Sequence, residues 1–107
     1  MTESDIIEIE LNLGIRLPTI YRQSMLSSTA PIPGVFSDPQ RIIAVNELNR
    51  QMCWLNRPLE NAFFIFGADK LGRELFLDLD FPEPVVMIAD HERKCGVVLA
   101  RTFGEWA

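Results

Sequence analysis

The sequence is poor in cysteine, in long apolar runs and in basic residues. Its two cysteines, Cys53 and Cys95, stand far apart in apolar contexts, so we expect reduced, buried thiols in a cytoplasmic protein. The apolar run 62–66 has the length of a strand and falls far short of the roughly 20 residues that cross a bilayer. The acidic stretch 1–5 has neither the basic nor the apolar region of a signal peptide, so none is expected.

The charge balance of the chain is acidic. Its 10 basic residues stand against 15 acidic ones, which gives a net charge of −5. Binding to a nucleic-acid backbone needs a positive surface, so we expect no nucleic-acid partner. The 107 residues are 48% hydrophobic, which is enough to fold as a single domain, 1–107, around one core.

Capping signals predict two N-terminal helices. Thr2 and Asp5 have the spacing of a capping box and Gly14 suits a helix end, so the first helix is predicted over 3–13. Pro18 suits the first turn of a second helix. The run 27–34, which contains two prolines and a glycine, predicts a loop.

A third helix is predicted at one of two positions. An apolar stripe places it over about 46–55, after a short edge strand at 41–43. The stripe consists of Val45, Leu48, Met52 and Leu55. The alternative starts this helix earlier, with Asp38 as the N-cap and Pro39 at the first helical position.

The C-terminal half of the chain shows strand patterns. Apolar stretches at 62–67, 85–89 and 97–100 predict buried strands, and 73–79 alternates between apolar and other residues. Its predicted core side carries Leu75, Leu77 and Leu79, and its other side carries Glu74, Phe76 and Asp78.

The order of these elements predicts the fold class. A second capping box, at Thr102 and Glu105, predicts a short C-terminal helix. Helices grouped before a strand meander predict an α+β fold. The N-terminal helices would pack on a mainly antiparallel sheet of about four to five strands.

Four segments of the chain carry a family resemblance. The first is Leu13-Gly14-Ile15-Arg16-Leu17-Pro18-Thr19-Ile20-Tyr21. The second is Phe64-Ile65-Phe66-Gly67-Ala68-Asp69 with Gly72 and Leu75-Phe76-Leu77-Asp78. The third is Val85-Val86-Met87-Ile88 with Asp90-His91-Glu92, and the fourth is Thr102-Phe103-Gly104-Glu105-Trp106. In this order they resemble the SUKH superfamily of Smi/Knr-type domains, over almost the whole chain.

The resemblance implies protein binding without a cofactor. Many bacterial SUKH members are immunity proteins that neutralise toxin domains, often nucleases, by direct binding, and fungal members regulate cell-wall synthesis through protein contacts. The chain departs from the family pattern after the second helix. There it has Ser27-Ser28-Thr29-Ala30-Pro31 in place of a frequent Asn-Gly-Gly.

A run of acidic residues predicts where a protein partner binds. Within 74–92 the chain has no lysine or arginine, and an acidic surface would attract a basic partner such as a toxin domain. Phe76 and Phe81 are the aromatic candidates for anchoring it. The predicted contact residues are Glu74, Phe76, Asp78, Asp80, Glu83, Asp90 and Glu92. The next candidate surface lies around Arg16, Arg22 and Arg50.

An exposed apolar patch is also expected. The predicted strands 62–67 and 85–89 are apolar on both faces, whereas only three or four short helices are available to cover the sheet. We therefore expect one sheet face to keep an exposed patch near Phe76. A homodimer, and a self-associating scaffold or regulatory protein, remain further alternatives.

The runner-up from a different class is a small hydrolytic or metal-dependent enzyme. Its carboxylate–histidine cluster would consist of Asp78, Asp80, Asp90 and His91. Against it, one strand supplies few converging oxygens, and His91 with Cys95 falls short of the four ligands of a structural zinc site. We therefore predict no catalytic, cofactor-binding or metal-binding residue.

Overall fold

The computed structural model describes residues 1–28, 30, 32–51, 54–55, 62–80, 83–101 and 103. The helices are α1 (Glu3–Leu13), α2 (Thr19–Ser27) and α3 (Pro39–Gln51). The strands are β1 (Phe63–Ala68), β2 (Glu74–Asp78), β3 (Val85–Asp90) and β4 (Cys95–Ala100). The predicted α+β class is therefore confirmed. Most of the predicted C-terminal helix lies outside the described residues, as do Cys53 and Phe81.

The first helix begins and ends at the predicted caps. The Thr2 backbone N–H donates to Asp5 Oδ2 over 2.8 Å, and the Asp5 N–H donates to Thr2 Oγ1 over 3.2 Å. Gly14 ends α1 in the left-handed conformation, with φ of 64°, which glycine adopts without strain. Glu10 of α1 then accepts a hydrogen bond of 2.9 Å from Arg22 of α2, which ties the two helices together.

The third helix follows the earlier of its two predicted starts. Asp38 caps α3 by accepting a hydrogen bond of 3.0 Å from the Gln40 N–H. The buried residues of α3 are Ile42, Ile43 and Asn46. The predicted bounds 46–55 are therefore wrong, and so is the predicted strand at 41–43. Of the stripe, Leu48 is 54% exposed, Val45 and Leu55 pack partly buried against other core residues, and Met52 lies outside the described residues. The stripe failed because a polar residue, Asn46, occupies a buried position.

The four strands form an antiparallel meander in the order β1-β2-β3-β4. Leu75 and Leu77 of β2 are buried in the same core as residues of α1 and α3, as predicted. Leu79 packs against this core while partly exposed. Glu74 and Asp78 were expected to face solvent, but both are half-buried.

The outer edge of β1 is engaged by side-chain and backbone hydrogen bonds. The buried Asn46 donates to the Ile65 carbonyl over 2.8 Å and accepts from the Ile65 N–H over 2.9 Å. Farther along, Phe36 and Gly34 each form a backbone hydrogen bond of 2.9 Å with the 66–68 segment. These bonds fix α3 and the segment 34–36 to the same edge of the sheet.

Apolar clusters cover both faces of the sheet. The larger one lies between one face and the helices, and its largest side chains are Tyr21, Phe64 and Phe66. The smaller one, on the opposite face, consists of Trp54, Ile65, Phe76 and Ala89. Within the described part of the chain, no helix is long and apolar enough to cross a membrane.

Candidate protein-binding surfaces

Five of the predicted acidic contact residues fall into two groups at opposite ends of the sheet. β2 and β3 are antiparallel, with Asp78 opposite Val85. The group at the β2–β3 connection consists of Asp78, Asp80 and Glu83, and the group at the β3–β4 turn consists of Asp90 and Glu92. At about 3.3 Å per residue, the length of β3 separates the groups by roughly 17 Å. The two groups therefore do not merge into one continuous surface.

The group Asp78, Asp80 and Glu83 is termed the acidic end. Asp78 Oδ1 accepts a hydrogen bond of 3.1 Å from the Asp80 N–H, which shapes the turn after β2. The side chains of Asp80 and Glu83 are exposed. Arg101, also exposed, follows β4 at this end of the sheet. Two exposed carboxylates and a half-buried one are thus available to a partner here.

The turn between β3 and β4 has mixed charge. Asp90 Oδ1 accepts hydrogen bonds from the backbone N–H groups of Glu92, at 3.0 Å, and Arg93, at 3.1 Å. The Arg93 Nε lies 3.7 Å from the other carboxylate oxygen of Asp90. Lys94 and His91 in the same turn are exposed. The two acids of this turn therefore stand among cationic and titratable groups.

Glu74 is engaged within the fold. Its carboxylate lies 2.8 Å from His91 Nε2 and accepts a hydrogen bond of 3.3 Å from Trp54 Nε1, and its side chain is 19% exposed. The contact with Trp54 could not be predicted, because it depends on how the chain returns after α3. Glu74 thus joins the aromatic face of the sheet to the β3–β4 turn.

Phe76 is buried, contrary to its predicted role as a surface anchor. It is 1% exposed, and its ring centroid lies 5.1 Å from that of Trp54 and 5.3 Å from that of Phe63. Trp54 packs over this ring, so Phe76 itself takes no part in the exposed apolar patch that was expected near it. A cavity of about 210 Å³ remains beside the rings. It is also lined by Cys95, which is exposed rather than buried as predicted.

Exposed apolar residues lie on β4 instead. Val97 is 41% exposed, Val98 57% and Leu99 46%. The sequence pattern indicated a buried strand here because the stretch is continuously apolar. A usable signal was its position, since the last strand of a meander lies at the edge of the sheet.

Comparison with models of protein families identifies the family of the chain. The model of the SMI1/KNR4 family (SUKH-1) matches residues 1–107, the whole chain. The chain belongs to this family. Membership supports a protein-binding, immunity-protein-like module in general terms. Comparisons with curated proteins and with solved structures gave no match.

The alternative enzyme cluster is not assembled in this SUKH-1 chain. Asp78 and Asp80 lie at the acidic end, whereas Asp90 and His91 lie at the β3–β4 turn, beyond the opposite end of β3. Among the residues that the structure describes, no group of three or more His, Cys, Asp or Glu side chains could hold a metal ion.

The alternative basic surface of the SUKH-1 chain is largely engaged. Arg22 binds Glu3 and Glu10 at 2.8 and 2.9 Å. Arg50 donates to the Leu13 carbonyl at the end of α1 over 2.7 Å. Burial lowers the pKa of Arg50, and the charge of Glu47 opposes this shift. Arg16, the remaining member, is exposed.

Proposed function

We propose that this SUKH-1 chain is a non-catalytic immunity protein that neutralises a toxin domain by binding it directly. Family membership supports protein binding in general. The observation that points to a basic partner is the acidic end, where the exposed Asp80 and Glu83 and the half-buried Asp78 belong to the β2–β3 connection. A toxin that acts on nucleic acid needs a positive surface for the phosphate backbone, and such a surface complements these carboxylates.

The acidic end would act mainly on the rate of association. Exposed carboxylates attract a basic surface before contact and orient it, and this attraction weakens as salt is added. Affinity would come from apolar anchors that become buried in the complex. Phe76 is already buried in the free chain, so other apolar residues that are exposed would act as these anchors. Phe81, predicted as a second anchor, lies outside the described residues and stays a prediction.

The proposed site of action is the cytoplasm. Cys95 is a free and exposed thiol at the start of β4. Exposed thiols persist in reducing compartments, whereas oxidising compartments favour disulfides. A reducing compartment therefore suits the chain.

Charge reversal at the acidic end is expected to slow binding. Asp80→Lys combined with Glu83→Lys should lower the association rate with the cognate toxin domain by about tenfold at low salt, and by less as salt is added. Both side chains are exposed, so the free energy of unfolding should change by less than about 0.5 kcal/mol. Stopped-flow binding at several salt concentrations, with urea unfolding alongside, measures both quantities.

A matched pair of single variants locates the effect. Glu83→Lys and Glu92→Lys make the same change of charge at exposed positions on opposite ends of the sheet. The proposal expects Glu83→Lys to slow association several times more than Glu92→Lys. Equal effects would mean that net charge alone matters, and a larger effect of Glu92→Lys would move the contact to the β3–β4 turn.

A further inference from the structure

The cavity of about 210 Å³ beside Phe76 is lined mainly by apolar side chains. Trp54, Phe63 and Phe76 contribute aromatic rings, and Met87 contributes a thioether. Lys94 also lines the cavity and is exposed, so the space is accessible from solvent. Aromatic rings and thioether sulfur atoms both form favourable contacts with a further aromatic ring. The lining therefore suits an aromatic ligand.

The volume of the cavity suits a single ring. Clefts that hold drug-sized ligands measure about 300–1,000 Å³, whereas a buried cavity of about 150 Å³ in another protein takes up benzene. The cavity beside Phe76 lies between these values. One six-membered ring with a small substituent therefore fits, and a nucleotide or another large cofactor does not.

Two residues that line the cavity have a strained backbone. Leu55 has a φ of 49° and Lys94 a φ of 57°, and these are the non-glycine residues with positive φ in the described part of the chain. Residues other than glycine adopt this left-handed conformation at a cost in energy, and such residues cluster at binding sites. Their position at one cavity is an observation independent of its aromatic lining, and it too indicates a binding site.

The charges at this end of the sheet balance. The ionisable side chains of the two turns and their flanks are Asp69, Lys70, Arg73, Glu74, Asp90, His91, Glu92, Arg93 and Lys94. Four of them are acidic, four are basic and one is a histidine. Asp69 pairs with Arg73 at 2.7 Å and Asp90 with Arg93 at 3.7 Å, and Glu74 lies 2.8 Å from His91. This balance selects neither an anion nor a cation, so the matching ligand is uncharged.

From these observations we propose that the cavity is a binding site for one uncharged aromatic ring of the size of a phenol. The rings of Trp54, Phe63 and Phe76 would contact it edge-on or offset, and the Lys94 ammonium would interact with its face or its hydroxyl oxygen. A small phenolic molecule and a tyrosine side chain of another protein both present this chemistry. The cavity differs from the acidic end, so the inference stands or falls independently of the proposed toxin contact.

Two ligands of matched size test the inference on the intact chain. 4-Methylphenol and 4-methylcyclohexanol have the same ring size and substituents, but only the first is aromatic. 4-Methylphenol should bind at least about threefold more tightly, and it should shift the NMR signal of the Trp54 indole N–H. Equal binding of the two ligands, no binding of 4-methylphenol at millimolar concentration, or shifts confined to residues away from the cavity would overturn the inference.

A tyrosine peptide separates the two sources of the ring. N-acetyl-Gly-Tyr-Gly-amide presents the same phenol on a peptide backbone. Binding of the peptide at the cavity within about tenfold of 4-methylphenol would support the inference with a protein side chain as the ligand. Binding of 4-methylphenol alone would support it with a small molecule as the ligand.

A pair of tryptophan variants provides the control. Met87→Trp should fill the cavity and weaken the binding of 4-methylphenol at least about tenfold. Leu71→Trp adds the same side chain at a position that is 79% exposed and outside the cavity lining, so it should leave binding unchanged. Circular dichroism checks that both variants fold. If Met87→Trp does not fold, Gly96→Ala replaces it, because a Cβ atom there would come within 2.7 Å of the Phe76 ring. Unchanged binding in the folded cavity variant would overturn the inference.

Discussion

Phe76→Ala is expected to destabilise the domain by about 4 kcal/mol, because truncating a buried aromatic residue removes its contacts and leaves a cavity. The ring packs edge-on against Trp54 and Phe63. Gly96 also lies close to it: a Cβ atom at that position would come within 2.7 Å of the Phe76 ring. Urea unfolding followed by circular dichroism measures the loss.

The result for Phe76 decides between the buried role and the surface role inferred from the sequence. A surface anchor would lose partner affinity on truncation and keep its stability. Leu71→Ala provides the control, since Leu71 is 79% exposed and its truncation should cost less than about 0.5 kcal/mol. A loss for Phe76→Ala that is no larger than the loss for Leu71→Ala would contradict the observed packing.

Asn46→Leu is the second substitution with a large expected effect, and it should lower the free energy of unfolding by about 3 kcal/mol. Leucine keeps most of the side-chain volume, but it leaves both the N–H and the C=O of Ile65 without their partner. Each buried backbone group left unsatisfied costs about 1–3 kcal/mol. Differential scanning calorimetry or urea unfolding of the purified variant gives the value.

Asn49→Leu is the matched control for this change. It lies on the same helix, and among the described residues its side chain donates only to the Val45 carbonyl of that helix, over 2.7 Å. Removing this local bond leaves no strand group unpaired, so a loss below about 1 kcal/mol is expected. Similar losses in both variants would show that Asn46 does not fix the β1 edge to α3.

Signals from residues close in sequence were sufficient to predict much of the fold. The capping box at Thr2 and Asp5 and the left-handed Gly14 depend on contacts within a few residues, so the sequence could predict them. The same is true of the alternation in β2, because the side of a strand that faces the core follows from period two. The Asp38 cap, also a local signal, gave the right start of α3. The apolar stripe placed the helix too late because the buried face includes Asn46, whose partner is Ile65 on a distant strand.

The candidate surfaces depended on contacts between distant parts of the chain. Trp54 buries Phe76 and binds Glu74, and neither contact has a signal in the sequence around β2. The acidic residues are close in sequence, yet the length of β3 places Glu83 and Glu92 at opposite ends of the sheet. An acidic run in the sequence therefore does not become one acidic surface when an extended strand separates its members.

The most direct test of the proposed function is a titration of toxin activity. The toxin domain would be the one encoded by a neighbouring gene, assayed at a concentration well above its dissociation constant for the purified chain. Inhibition by direct binding predicts a linear loss of activity that is complete at one equivalent of chain. Complete loss at a small fraction of an equivalent would show catalytic inactivation, and full activity in excess chain would show that this toxin is not bound. Either of these results would contradict the proposed function.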